Sequence, residues 1–231
     1  MPTITFTPKT PDLMGLFDPP ILASEALPEW LKEMTPYINS STPVYGDHGV
    51  TNGTIKKCMP IFDVMSAGYF ITAPADVYFE NGVNTQWTVS NFTVVGSHSS
   101  EQFSTMPFDK NKYEEHAFKW NSPWVIKTPE GYSTLFVHPN HFTDDPFKCF
   151  SGIVDTDTHP TAINFPFLIR KGFTGIVKAG TPIIQVIPFK REPWTLEINE
   201  FDKELDLEWR RATRHLNNRY KKLFRAPKSF S

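Results

Sequence analysis

The sequence predicts a mainly β protein, on three observations. Its 21 prolines interrupt helices and suit short strands joined by rigid turns. Its 20 phenylalanines, against only 12 glycines, supply bulky core residues that sheets accommodate well. Short apolar runs separated by turn residues recur from residue 56 to residue 191, the pattern of an all-β barrel or double-sheet fold.

Taken in order, residues 1–22 carry many prolines and little periodicity. They read as an extended arm lying across a neighbouring subunit or its own domain, with a disordered tail as the alternative. Residues 24–35 predict a short helix. Ser24 is its expected cap, Glu25 and Glu29 favour its first half, and Leu27, Trp30, Leu31 and Met34 share one face before Pro36 ends it. Residues 39–54 are polar and turn-rich, a loop. The β pattern is expected from Lys56, where Cys58, Met59, Pro60, Ile61 and Phe62 begin an apolar stretch. Strands are expected at 69–72 and 77–79, and Asn81-Gly82 signals a hairpin whose returning strand is 86–89. Residues 96–117 read as a surface excursion. Further strands are expected at 124–127, 132–137, 150–154, 162–168, 175–177 and 182–188.

The last element expected is a long amphipathic helix over 199–224, capped by Asn199. Phe201, Leu205, Trp209, Ala212, Leu216, Tyr220 and Leu223 recur at three- and four-residue spacing, which keeps one apolar stripe on a straight helix. Acidic residues crowd its first half and basic residues its second, an order that complements the helix dipole. The expected division is therefore an N-terminal arm with a short helix (1–55), a β-rich domain (56–194) and a C-terminal helix with a basic tail (195–231).

A formal charge of −2 offers no strong field for nucleic acid. No run of about eighteen apolar residues predicts a membrane span, and the N-terminus lacks the pattern of a secretory signal. A cytoplasmic location follows, with Cys58 and Cys149 as reduced thiols. The glycosylation-like tripeptides at Asn39, Asn52 and Asn91 then read as chance matches.

Four segments occur in the order seen in one superfamily: Ala67-Gly68-Tyr69, Pro129-Glu130-Gly131-Tyr132, Gly152-Ile153-Val154-Asp155-Thr156-Asp157, and Gly180-Thr181-Pro182-Ile183-Ile184-Gln185. Over roughly residues 64–190 the chain resembles the dUTPase and dCTP deaminase superfamily, whose fold is a β-clip or distorted jelly roll. As a whole the chain also resembles a family of similar length found in bacteria and their phages, which would place it in a host cytoplasm or a virion. The resemblance implies a hairpin at 154–158 that sets Asp155 and Asp157 on one face, since strand side chains alternate. It implies that Asp155 orients or deprotonates an attacking water, with Mg²⁺ as the cofactor if the protein is a nucleotide hydrolase and none otherwise. The matching ligand-binding positions are Gly131, Tyr132, His138, Asn140, Thr158 and Gln185. The superfamily commonly builds trimers, so a homo-oligomer is expected, with a small molecule or nucleotide as the ligand class.

The departures fall on the chemistry. Phe70 stands where the first motif has an aspartate, and Thr158 where the family has a tyrosine that stacks under deoxyribose. His138-Pro139-Asn140 occupies the place of an arginine that would bond phosphate. Residues 195–231 hold no glycine-rich segment to cover a triphosphate. The pieces retained are those a scaffold needs, so a non-catalytic binding or assembly protein is the first expectation. A hydrolase of altered specificity using Asp155 is the second.

Two other constellations carry residue types suited to chemistry. His138, His141, Asp144, Asp145, Asp155, Asp157 and His159 are of metal-ligating type, and Asp157-x-His159 reverses the order used by jelly-roll iron oxygenases. A polar loop is the simpler reading, so no metal ligands are assigned and an oxygenase stands third. Cys149 with His138 or His141 lacks any nucleophile spacing and reads as a buried thiol.

Overall fold

The computed structural model describes residues 1–46, 49–141, 143–213, 220–226 and 228. The strands β1 (Thr5–Pro8) and β2 (Ile21–Leu22) come from the N-terminal arm. Then follow α1 (Glu29–Glu33), β3 (Tyr45–Gly46), β4 (Gly49–Val50) and α2 (Met59–Met65). Next come β5 (Tyr69–Thr72), β6 (Val77–Glu80), β7 (Asn84–Trp87), β8 (Val95–Ser97) and β9 (Tyr113–Asn121). The series continues with β10 (Trp124–Lys127), β11 (Tyr132–Val137), β12 (Phe147–Cys149) and β13 (Gly152–Val154). It ends with β14 (Asn164–Arg170), β15 (Gly175–Val177), β16 (Pro182–Lys190) and the helix α3 (Lys203–Thr213). The protein is mainly β, and no described helix is long and apolar enough to cross a membrane.

One compact unit contains Met1–Ala23 and Gly68–Arg191. Its larger sheet has the order β13-β11-β16-β5-β2 and its second β12-β14-β9-β8; β15-β6-β7 and β1-β10 complete it. Among the described residues these sheets do not close into a barrel. The core is aromatic. Trp120 stacks on Phe167 at 4.7 Å between ring centroids, and Phe79 meets both edge-on. The alternation that predicts β6 is visible in its burial, with Val77 and Phe79 inside and Glu80 outside. Asn81 and Gly82 both take positive φ, which turns β6 into β7 as the dipeptide predicts.

The arm lies on its own domain: β1 pairs with β10 and β2 with β5. Residues 96–117 are not a surface excursion throughout, because parts of β8 and β9 lie within them and run side by side. The second unit contains Ser24–Ala67 and Glu192–Ser231, so the β-rich unit starts at Gly68 and not at Lys56. Residues 55–65 form a 3-10 turn and α2 instead of strand. Pro60 explains this, since its missing N–H would break a ladder but costs nothing in the first turn of a helix. The helix expected over 24–35 shrinks to α1. Pro28 sits at its N-cap, and the residue before a proline avoids helical backbone, so Ser24 caps nothing.

At the C-terminus the capping residue is Asp202, not Asn199. Its carboxylate accepts the backbone N–H of Glu204 at 2.8 Å and of Leu205 at 3.1 Å. The expected continuation through Arg214, Leu216 and Arg219 lies outside the described residues. A π turn occupies Tyr220–Phe224. Beyond it Arg225 donates to Asp63 at 2.9 Å, joined by Lys228 at 2.9 Å, and the Arg225 bond holds the Asp63 carboxyl below its ordinary value.

Candidate functional site

The best-marked site lies where β11 begins, β13 ends and β16 runs out. The register pairs Thr134 with Val154 and Tyr132 with Lys190, so the turn after β13 and the residue after β16 meet beside Gly131. Gly131 takes φ +82°, a conformation that favours glycine, and its carbonyl accepts the N–H of Arg191 at 2.8 Å.

Asp155 and Asp157 lie in this turn and not on a hairpin strand. Thr156 N–H donates to the Val154 carbonyl, and the N–H groups of Thr158 and His159 donate to the Asp155 carbonyl at 3.1 and 2.8 Å. The two carboxylates share a side because Arg191 gathers them. Its Nη1 lies 3.0 Å from Asp157 and 3.3 Å from Asp155, and its Nη2 also bonds Asp157. Asp157 further accepts from Gly131 N–H at 3.0 Å, and its side chain is 5% exposed. Asp155 accepts from Ser133 Oγ at 2.6 Å and is 63% exposed. Between them Thr156 turns inward, fully buried, and its hydroxyl meets those of Thr128 at 2.7 Å and Thr134 at 2.8 Å. The Arg191 guanidinium beside Asp157 lowers that carboxyl to about 2. A carboxylate held there, with its lone pairs engaged, is a poor proton acceptor near neutral pH.

The remaining sequence candidates gather elsewhere. His138, Asn140 and Gln185 sit at the far end of β11, roughly 17 Å away by strand rise. Gln185 is fully buried and its Oε1 accepts from Asn140 Nδ2 at 3.0 Å. His138 Nδ1 accepts the N–H of Cys149, and its Nε2 lies 3.5 Å from Asp145. Burial opposes ionisation of Asp145, but bonds from His138 and Thr143 prevail and its carboxyl sits below the ordinary value. His141 packs edge-on against Phe70 at 4.5 Å, and burial pushes its imidazole down. Burial pushes the Cys149 thiol well up, and its Sγ donates to the Ile183 carbonyl, as a structural thiol does.

Gly131, Tyr132, Asp155, Asp157 and Thr158 are thus brought together, while apart from them Asn140 pairs with the buried Gln185 and His138 bonds Cys149 and Asp145. The metal-type residues divide the same way. Asp144 pairs with Arg170, and among the described residues no three His, Cys, Asp or Glu side chains converge as metal ligands. Arg191, Ser133, Thr134 and Thr156 were missed from sequence. Arg191 belongs to no motif, and its place one residue past the end of β16 is the signal that could have found it.

The chain matches no family model, and no match to it was found among the curated proteins or the solved structures.

Proposed function

We propose that this protein is a binding or assembly module on a dUTPase-like scaffold, that it acts as a homo-oligomer, and that its Asp155–Asp157 turn is retained as structure. The observation that carries the reading is the segment after Arg191. Trp194, Leu196 and Ile198 alternate with polar residues and are 89%, 88% and 86% exposed, and Phe201 follows at 80%. Burying each such side chain is worth about 1.5–3 kcal/mol, so an alternating stripe of this kind favours a covering partner. A second copy of the chain supplies one by adding this stripe to its own surface. Arg191 supports the non-catalytic half of the reading, because it holds both carboxylates that a hydrolase would need.

Light scattering on pure protein tests the assembly. A trimer of about 80 kDa, three copies of the 26.5 kDa chain, is expected, and a monomer at all concentrations refutes it. A nucleotide hydrolase that uses Asp155 with Mg²⁺ is the second reading, favoured by the exposure of that carboxylate. It requires turnover of some deoxynucleotide that Asp155→Asn abolishes. Absence of both turnover and thermal stabilisation across the deoxynucleotides excludes it.

A further inference from the structure

We infer that the cleft between the N-terminal arm and the loop at 91–93 binds a neutral saccharide. The cleft is open to solvent and has a volume of about 410 Å³, within the range of small-ligand pockets of about 300–1,000 Å³. It is distant in kind from the carboxylate turn, since amides and hydroxyls dominate its lining. Asn91, Phe92 and Thr93 line one part of it, Lys9 and Asp12 another, and Asn121 and Asn164 stand side by side there as paired residues of β9 and β14.

The site is held in shape by groups that do not belong to a ligand. Lys9 N–H donates to the Pro123 carbonyl at 2.7 Å and fixes the arm to the domain. Asn121 Nδ2 donates to the Thr93 carbonyl at 2.8 Å and fixes the loop to β9, which leaves the oxygen of that amide as an acceptor. The Phe92 ring packs on Phe17 at 5.3 Å. The side chains of Asp12, Asn91 and Asn164, by contrast, make no hydrogen bond to the described residues.

The unused groups select the ligand class. One ammonium and one carboxylate balance, whereas a phosphate or sulfate ligand calls for several cations. A single carboxylate is too few for a calcium or magnesium site. An apolar ligand would leave the amides unpaired. A polyhydroxylated neutral molecule fits, because each hydroxyl both donates and accepts and so matches carboxamides, a threonine hydroxyl and a carboxylate at once. Phe92, which also lines the cleft, adds an apolar contact for the C–H groups of a sugar ring.

Saturation-transfer NMR on the full chain tests this with glucose, galactose, mannose, N-acetylglucosamine and lactose, and with uridine and inorganic sulfate as comparison ligands. At least one sugar is expected to show transfer with a Kd on the order of 1 mM, about −4 kcal/mol. Its binding is expected to weaken at least tenfold in an Asn91→Ala/Asn164→Ala double variant. Both residues are exposed, so circular dichroism of that variant should match the parent. No transfer to any sugar overturns the proposal. So does sugar binding that survives the double variant, or binding of uridine or sulfate alone.

Discussion

Replacing Gln185 with leucine keeps the side-chain volume close to constant and removes the acceptor shared by two donors of Asn140. Gln185 is fully buried, and its Oε1 lies 3.0 Å from Asn140 Nδ2 and 3.3 Å from Asn140 N. Leaving a buried donor unsatisfied costs about 1–3 kcal/mol, and the half-buried position of Asn140 keeps the total within that range. For a chain of this length each kcal/mol lowers Tm by about 2–4 °C, so Gln185→Leu should lower Tm by about 2–12 °C in scanning calorimetry. Asn140→Ala removes the side-chain donor of the same bond. The double variant should therefore be less destabilised than the sum of the singles by about 0.5–1.5 kcal/mol, the net worth of one hydrogen bond. A Tm unchanged within a degree, or strict additivity, would refute the assignment of Gln185 to the scaffold.

Three further outcomes follow from the same structure. Gly68→Ala should fail to accumulate as folded protein or lose more than about 3 kcal/mol, because φ is +68° and an added Cβ would lie 2.0 Å from the Val186 carbonyl oxygen; near-normal stability in urea would contradict the register of β5 on β16. Asp157 sits at about 2 against an ordinary 3.8, so its contribution is complete above pH 3.8 and disappears as pH falls through about 2. The Tm gap between the parent and Arg191→Met should accordingly be constant above about pH 5 and narrow below pH 4; a gap that does not narrow in acid would show that the ion pair does not form. Arg225→Ala removes the guanidinium that bonds both oxygens of Asp63, and trypsin should then remove the C-terminal residues faster while the β-rich unit stays intact.

Local signals in the sequence were legible wherever the physics is local. The Asn81-Gly82 turn, the alternation in β6 and the aromatic core follow from residue type and spacing, and each is present. Misreadings came at prolines. Pro28 restricts the residue before it and delays the start of α1, and Pro60, which lacks an N–H, fits the first turn of α2 where the apolar content suggests strand. In the carboxylate turn, Asp155 and Asp157 were visible as a pair, but their shared side depends on Arg191, which is 34 residues beyond Asp157 in the chain. No periodicity spans that gap; only the pairing of β11 with both β13 and β16 closes it. Gln185 shows the converse. Its place in a motif suggests ligand contact, and only the fold shows that it is fully buried with its Oε1 accepting from Asn140.

Sedimentation velocity of the parent protein beside a Trp194→Glu/Leu196→Glu variant tests the assembly reading most directly. The parent should sediment as a trimer and the variant, with unchanged circular dichroism, as a monomer, because two charges in the exposed stripe cannot be buried against another copy. A parent that sediments as a monomer, or a variant that remains trimeric, would contradict it.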